Sequence, residues 1–292
     1  MHKGKNDNTA LILSGGGWPG AYDIVRALGR AGIDAIVASS QPDDIAFYSR
    51  YTCGRIHLPR FESTNHAEIL SLLIEIASAT REKPVLFYTG DSELEFMRRY
   101  REELSLYYRF LLPPRNILEE LTDKSLFYDM ARSYDLPVPF TRKFANAAEL
   151  QEEIETVPFP CIVKPPLNRD WFWRTLEERR QFGCYKSALR RFDSRQDLLK
   201  FCTALPDRAS GFLVQSYIES DDRGTVCFNG YFDDNSQCLG HVIGQDIRTN
   251  PPETGESAYS RTVHDEGLAK LSIEYLQRLQ FRGIVKIDYK WD

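Results

Sequence analysis

The chain is poor in the residue types that build disulfide frameworks and metal clusters. Its six cysteines are scattered over 292 residues without a Cys-x-x-Cys pair, and its five histidines do not cluster at metal-ligand spacing. A zinc site and structural disulfides are therefore not expected, and a reducing cytoplasm is the expected location.

Long apolar runs and an excess of basic residues are also missing. The residues before Thr9 are polar, with no apolar run behind a basic start of the kind that marks a secretory signal. No apolar stretch approaches the roughly 20 residues that a membrane span needs. The net charge is −5, whereas a nucleic-acid-binding surface needs a strong basic excess. We expect a globular protein without a membrane or nucleic-acid partner.

The hydrophobic pattern divides the chain into three segments, and its length allows two or three subdomains. Residues 1–113 alternate strands and helices, which predicts a parallel α/β layer. The predicted elements there are strands Ala10–Leu13, Asp34–Ala38 and Pro84–Tyr88 and helical tracts Ala21–Ala31, Ala67–Ala79 and Ser92–Phe110. Residues 114–205 mix helices with one apolar strand. Residues 206–292 are mainly strands, and Phe212–Gln215, Gly224–Phe232 and Leu239–Ile247 are predicted to form one antiparallel set.

Lys164 is a charge at the end of an apolar run, Cys161–Val163, that prolines flank. Such a run predicts a buried strand that stops at the prolines. Burying an ammonium without a partner is costly, so Lys164 needs a partner such as an anionic ligand, unless it extends from an edge strand into solvent.

A glycine-rich turn, Gly15–Gly20, follows the first predicted strand and satisfies the G-x-G-x-x-G pattern. A dinucleotide site would also need an acidic residue at the end of the second strand. That strand ends at Ser39-Ser40, and the next acid is Asp43. A tight strand-to-helix turn is the simpler interpretation, and a nicotinamide- or flavin-dependent oxidoreductase stays as an alternative.

Three further motifs each have a simpler structural interpretation beside a functional one. Asp123-Lys124 begins a helix and is typical of a cap followed by a solvated lysine. Gln215–Glu219 lies at the end of a predicted strand, and its simpler interpretation is an edge strand that continues into an acidic turn. Asp288 lies on the last predicted strand, Gly283–Tyr289, where a buried carboxylate would need donors or a metal.

In this order and at these separations, the motifs resemble the ATP-grasp superfamily, in particular its carbamoyl-phosphate-synthetase-like and D-aspartate-ligase-like branch. The likeness is carried by Ala46–Tyr51, by Asp123-Lys124 with Leu136–Pro139, and by Ile247-Arg248 with Pro251-Pro252. The resemblance implies a Rossmann-like pre-ATP-grasp domain at 1–113, the first ATP-grasp subdomain at 114–205 and an incomplete C-terminal subdomain at 206–292.

The resemblance also implies roles for individual residues. Lys124 and Lys164 would contact the phosphates of ATP, and Glu219 would accept hydrogen bonds from the ribose. The segment that would read the adenine edge is Gln215, Ser216, Tyr217 and Ile218. Asp288 would bind Mg²⁺, while Arg248 and Lys186 would supply charge near the reacting group.

The chain departs from the family pattern in three places, one of which is Ser220, where relatives often have a glycine after the hinge acid. Residues 167–185 replace a glycine-rich phosphate loop with a segment rich in tryptophan and arginine, either a substrate-specific lid or a solvated basic helix. The Glu-x-Asn metal pair of relatives, expected on a strand after Asp288, is missing because the sequence stops at Asp292. We expect the sequence to be a fragment, since the last strand would otherwise lack its return partner.

The resemblance implies an ATP- and Mg²⁺-dependent ligase that joins a carboxylate to an amine through an acyl-phosphate. A non-catalytic or regulatory ATP-grasp-like protein and a phosphotransferase on the same fold stay as alternatives. The expected partners are small-molecule substrates, whose identity the sequence does not reveal. Many relatives are dimers, so a homodimer is the oligomeric state that the resemblance implies.

Overall fold

The structure of the protein is a computed structural model. It describes residues 9–15, 20–166, 175–182, 190–206, 209, 211–220, 224–250 and 256–291, apart from the side chains of Ser63, Arg179 and Glu256. The chain divides into two compact units, Met1–Phe110 and Leu111–Asp292.

The first unit is built on a parallel sheet. Among the described residues its strands are β1 (Thr9–Ser14), β2 (Asp34–Ser39), β3 (Thr52–His57) and β4 (Val85–Tyr88), in the spatial order β3-β2-β1-β4. Its helices are α1 (Gly20–Arg30), α2 (His66–Ser78), α3 (Asp91–Arg99) and α4 (Arg101–Tyr107), with short 3₁₀ turns at Ile45–Tyr48 and Ser63–Asn65. The predicted α/β layer is confirmed.

Two elements of this unit differ from the prediction. The edge strand β3 was not predicted, because its alternating exposure leaves only a weak apolar pattern in Thr52–His57. The predicted helical tract Ser92–Phe110 is two helices that meet at Tyr100, whose backbone leaves helical geometry. Beyond them, the backbone of Arg109 hydrogen bonds with Pro84 and Leu86 beside β4.

The core of this unit lies on both faces of the sheet. On one face, Ala10 and Ile12 of β1 pack with Ala21 and Val25 of α1. The intervening Leu11 and Leu13 are also fully buried. A strand covered on both faces is a continuous apolar run, which explains why β1 could be recognised from its sequence.

Buried carboxylates occupy the carboxyl ends of β1 and β2. The Gly15 backbone N–H and the Thr89 hydroxyl donate to Glu93 Oε1 at 2.5 and 3.0 Å. The hydroxyls of Ser14 and Ser39 both donate to Asp44 Oδ2 at 2.7 Å. Because a carboxylate already accepts the Gly15 N–H, the start of the glycine-rich turn does not favour a pyrophosphate, and Gly16–Pro19 lie outside the described residues.

The second unit contains two antiparallel sheets. In the described part, one sheet has the order β5 (Thr141–Phe144), β8 (Phe212–Ser216), β6 (Cys161–Lys164) and β7 (Arg190–Phe192). The other has the order β11 (Glu256–Val263), β10 (Cys238–Asn250), β9 (Thr225–Phe232) and β12 (Gly283–Lys290). The helices are α5 (Arg115–Thr122), α6 (Lys124–Ser133), α7 (Ala147–Glu153), α8 (Leu176–Phe182), α9 (Arg195–Thr203) and α10 (Glu266–Arg278), with a 3₁₀ turn at Ile154–Thr156.

The grouping of β8 with β9 and β10 was wrong. β8 lies between β5 and β6, where its inward residues Phe212 and Val214 pack with Phe144 and Val163. The pairing of strands that are far apart in the sequence depends on which apolar faces fit together, and the local sequence does not encode this fit. The antiparallel pairing of β9 with β10 is as predicted, and the division of this unit at residue 205 stays a prediction.

Each sheet of the second unit has its own core. In one, α9 contributes Leu198 and Phe201 beneath the sheet of β5–β8. In the other, α10 contributes Leu268 and Leu276 beneath the sheet of β9–β12, together with residues of α5 and α6. No helix within the described residues combines the length and apolar composition needed to cross a membrane.

The buried Glu93 generates a prediction about pH and stability. Burial raises the pKa of Glu93 above its ordinary value, so the folded state favours the protonated carboxyl. Its contribution to stability is therefore present below the unfolded-state pKa and is lost as the pH rises through the folded-state pKa. Glu93→Gln keeps an oxygen acceptor for Gly15, and relative to this variant the wild type should lose stability as the pH rises above the unfolded-state pKa of a glutamate, about 4.3.

Urea denaturation at several pH values measures this difference. Glu103→Gln, which changes an exposed carboxylate on α4, is the matched control and should follow the wild type. Parallel pH profiles for wild type and Glu93→Gln would contradict the expectation.

Candidate functional site

Lys164 lies on the polar face of the sheet formed by β5–β8. Side chains alternate between the faces of a strand, so Cys161 and Val163 point to the core while Ile162 and Lys164 point to the other face. Gln215 is paired with Ile162 and therefore lies on the same face as Lys164. The sequence predicts a lysine at the end of this strand, and the pairing of β6 with β8 brings Gln215 beside it.

A chain of hydrogen bonds holds the Lys164 ammonium across three strands. Lys164 Nζ donates to Gln215 Oε1 at 2.7 Å, and Gln215 Nε2 donates to Thr141 Oγ1 at 2.8 Å. The Thr141 hydroxyl in turn donates to the Pro139 carbonyl at 3.1 Å. Both ends of the Gln215 amide thus make one hydrogen bond within the protein, and each end keeps one further donor or acceptor position.

The electrostatic environment of Lys164 disfavours its charge. Burial, followed by the positive charges of Lys124 and Lys290, lowers the pKa of Lys164 to about 8. Gln215 is a neutral hydrogen-bond acceptor and does not neutralise the charge of the Lys164 ammonium. A bound anion would offset the effect of Lys124 and Lys290 on this ammonium, so this point of the structure is suited to a multiply charged anionic ligand.

The start of α6 brings Lys124 to this place. Asp123 caps the helix by accepting the N–H groups of Ser125 and Leu126 at 2.8 and 3.2 Å. Burial alone would raise the pKa of Asp123, but these bonds and that from the Ser125 hydroxyl lower it below its ordinary value. The Lys124 N–H donates to the Pro166 carbonyl at 3.2 Å, which ties α6 to the chain just after β6.

The segment after β8 carries the other predicted nucleotide residues. The ring of Tyr217 lies 4.7 Å from Lys290 Nζ and 5.0 Å from the guanidinium carbon of Arg191. Arg191 Nη2 also pairs with Glu219 Oε1 at 2.8 Å. An aromatic ring stabilises a nearby cation by about 0.5–2 kcal/mol, so Tyr217 favours these positions for both cations.

The backbone of the same segment is partly used within the sheet. The N–H groups of Ser216 and Tyr217 donate to the carbonyls of Phe140 and Pro160, each at 2.9 Å. Within the described residues, the N–H of Ile218 has no such partner. Ile218 is consequently one position in this segment where, within the described residues, a backbone donor is available to a ligand.

Comparisons with known proteins agree with this architecture. The chain is 25% identical over 232 residues to the D-aspartate ligase of Enterococcus faecium (strain Aus0004), covering 77% of this chain and 53% of that ligase. The solved L-amino acid ligase from Bacillus licheniformis has a TM-score of 0.65 at 16% identity, covering 98% of this chain and 64% of that chain. The chain has the ATP-grasp fold.

A second solved structure supports the same fold. The biotin carboxylase domain dimer of the Hydrogenobacter thermophilus 2-oxoglutarate carboxylase, in complex with MgADP, ADP and bicarbonate, has a TM-score of 0.67 at 12% identity. The match covers 95% of this chain and 60% of that chain. No protein-family model matches the sequence. The chain spans about half the length of the D-aspartate ligase that it matches.

Asp288, the predicted metal ligand, lies on the other sheet of this ATP-grasp fold. Its carboxylate is 59% exposed on β12 and pairs with Lys286 Nζ at 2.9 Å. Burial alone would lower the pKa of Lys286, but Asp288 raises it above its ordinary value. No group of three or more His, Cys, Asp or Glu side chains in the described ranges could hold a metal ion. Magnesium is usually held by one or two carboxylates together with substrate phosphates, so Asp288 as a ligand stays a prediction.

The two predicted catalytic cations are not brought to Lys164 by any described contact. Arg248 is exposed on β10, opposite Tyr259 of β11, between two register shifts. Lys186 lies outside the described residues, as does most of the tryptophan- and arginine-rich segment. The roles proposed for both residues stay predictions.

Sequence reasoning missed three residues that contribute to this site. Thr141 was not assigned to a strand, and Arg191 was part of an unassigned basic segment. Lys290 was overlooked because it follows the predicted end of the last strand, although its spacing from Asp288 places both on one face of β12. The two-residue spacing between Asp288 and Lys290 could have identified Lys290 as a residue on the same face of the strand.

The hydrogen bond between Gln215 and Lys164 can be tested by substitution. Gln215→Leu leaves the Lys164 ammonium without its acceptor, and losing a hydrogen bond to a charged group costs about 1–3 kcal/mol of unfolding free energy. Urea denaturation at pH 7 measures this loss.

Gln215→Glu supplies an acceptor of nearly the same shape, so it should be considerably more stable than Gln215→Leu. Equal stability of wild type and Gln215→Leu would show that this bond does not hold Lys164 in place.

Proposed function

We propose that the chain contains the ATP-binding part of an ATP-dependent ligase that joins a carboxylate to an amine. The observation that carries the proposal is the convergence of Lys124, Lys164 and Lys290 at the end of β6. Polyphosphate is the ligand whose charge best matches such a cluster. The similarity to the D-aspartate ligase supports ligation as the reaction.

The nucleotide would lie along the segment after β8. Lys164 and Lys124 would contact the phosphates, with Lys290 contributing to the same field, and Gln215 would act as a positioning residue for Lys164. The N–H of Ile218 would donate to the adenine edge, and Glu219 would accept from the ribose hydroxyls. The last role requires Glu219 to exchange its exposed ion pair with Arg191, which costs little at the surface.

The reaction would proceed in two transfers. An oxygen of the substrate carboxylate attacks the γ-phosphorus of ATP, the bond to the β–γ bridging oxygen breaks, and ADP leaves with an acyl-phosphate remaining. The amine nitrogen then attacks the acyl carbon, phosphate leaves with the bonding electrons, and the nitrogen loses a proton. The protein's cations would stabilise the charge that moves onto phosphate oxygens and would hold the reactants in position.

The resemblance implies Mg²⁺, which would neutralise phosphate charge when bound, and Asp288 would be one of its ligands. The amino-acid substrate of the D-aspartate ligase makes amino acids the first carboxylates to examine. A homodimer remains part of the proposal because the chain is similar to a biotin carboxylase domain dimer.

Hydroxylamine trapping tests the ligase reaction without knowledge of the amine. The full-length protein is incubated with ATP, Mg²⁺ and single amino acids, D-aspartate first, and hydroxamate and ADP are measured. We expect equal amounts of the two products with the correct carboxylate and a loss of at least about 100-fold in Lys164→Met, because one cation of the clamp is removed.

Lys200→Met is the matched control because Lys200 is exposed on α9, on the core side of the same sheet. This variant should retain the wild-type rate. Nucleotide binding that is equal in wild type and Lys164→Met would contradict the proposed site, and ATP binding without hydroxamate for any carboxylate would favour a non-catalytic ATP-grasp-like protein.

The lowered pKa of Lys164 predicts a pH-dependent affinity for ATP. Phosphate stabilises the charged ammonium, so the pKa of Lys164 should rise on binding from its value of about 8. Above that pH binding must take up a proton, and affinity should fall by up to about tenfold per pH unit, while below it affinity should be nearly constant. Isothermal titration from about pH 6.5 to 9.5 measures the profile.

Two variants identify the titrating group. Lys164→Met should bind weakly and lack the decline above pH 8. Lys290→Met removes a like charge and should move the onset of the decline to higher pH. An unchanged onset in Lys290→Met would show that Lys290 does not act on Lys164.

A further inference from the structure

A second cationic site lies in the first unit, where α1 meets the segment after β2. A pocket of about 470 Å³ is lined there by three arginines and three tyrosines, together with Ser49. The six side chains are Arg26, Arg30, Arg50, Tyr22, Tyr48 and Tyr51. Its volume lies within the range of small-molecule sites, about 300–1,000 Å³.

The pocket is built by two rigid elements. Tyr22, Arg26 and Arg30 follow one another at four-residue spacing and share one face of α1. On the opposite side, the 3₁₀ turn Ile45–Tyr48 is anchored by the buried Phe47 and leaves Tyr48 70% exposed.

The ring of Tyr51 packs directly on Gly29 of α1. A Cβ atom at Gly29 would lie only 2.4 Å from Tyr51 Cβ, so only glycine allows this contact. A glycine within a helix costs about 1 kcal/mol relative to alanine. Tyr51, which lines the pocket, is therefore held against α1.

Arg26 and Arg50 are oriented by tyrosines and not by acids. Arg50 Nη2 donates to the Tyr51 hydroxyl at 2.6 Å, and Arg26 Nη1 donates to the Tyr22 hydroxyl at 3.3 Å. The guanidinium carbons of Arg50 and Arg26 lie 4.7 and 5.1 Å from the same rings. Among the described residues, no carboxylate lines the pocket or pairs with Arg26, Arg30 or Arg50.

The electrostatic effect on Tyr51 shows how closely the three cations converge. The hydrogen bond from Arg50, together with the charges of Arg50, Arg30 and Arg26, lowers the pKa of the Tyr51 hydroxyl below its ordinary value. All three arginines thus act on one point of the pocket.

We infer that this pocket binds the phosphate group of a phosphorylated small molecule. Guanidinium groups donate two parallel hydrogen bonds to phosphate oxygens, and tyrosine hydroxyls can donate to the remaining oxygens. The exposed ring of Tyr48 provides a surface on which a planar part of the same ligand can stack. The site lies wholly within the first unit and does not depend on the proposed nucleotide site.

Titration with pyrophosphate tests the inference. The titration is made with Lys164→Met, in which the proposed nucleotide site is weakened, so that failure of one site does not hide the other. We expect saturable binding of one pyrophosphate, and at least tenfold weaker binding when Arg26→Gln and Arg50→Gln are added, because two guanidinium groups are lost.

The control adds Arg60→Gln and Arg81→Gln instead, which removes the same charge from exposed positions of the same unit. This control should bind like the Lys164→Met parent. Equal weakening of pyrophosphate binding by the control, or no saturable binding at all, would overturn the inference. A change of oligomeric state in Arg26→Gln/Arg50→Gln without ligand, measured by sedimentation velocity, would also overturn it. That last result would assign the pocket to self-association.

Discussion

The second unit is organised around an ammonium group that is drawn away from water at the end of a strand. Lys164 has one described hydrogen-bond acceptor, Gln215, and a desolvated charge is tolerated only when its partners are held accurately. Gln215 is held in turn by Thr141, so the strand order β5-β8-β6 is the order that connects these three side chains. The position of β8 between β5 and β6 thus matters for the apolar core on one face of the sheet and for the Lys164 ammonium on the other face.

Three separate parts of the chain meet at this ammonium group. Lys124 arrives with the capped start of α6, and Lys290 arrives on the last strand, resting on the ring of Tyr217. Like charges disfavour the charged form of Lys164, and the anionic ligand proposed above would offset this effect. In the first unit, by contrast, arginines gather around tyrosines at the surface, where desolvation is small and the guanidinium groups stay charged.

Elements with a strong local signal could be predicted from the sequence. The buried apolar run of β1 and the Asp123 cap of α6 can each be recognised from a few neighbouring residues. The strands β3, β5 and β7 could not be predicted, because short, half-exposed segments become strands only when a neighbouring strand satisfies their backbone. The wrong grouping of β8 has the same cause, since its partners lie about 50 and 70 residues away in the sequence.

The sequence by itself determined that Lys164 is a charge that needs a partner, and that Asp123-Lys124 begins a helix. These conclusions follow from apolar periodicity, prolines and capping chemistry, which act over single elements. Only the tertiary structure decided that Gln215 is the hydrogen-bond partner of Lys164 and that the charge of Lys290 acts on Lys164. It also decided that Asp288 pairs with Lys286 on β12. Such contacts depend on strand order and face, which arise from the packing of the whole unit and not from any one segment.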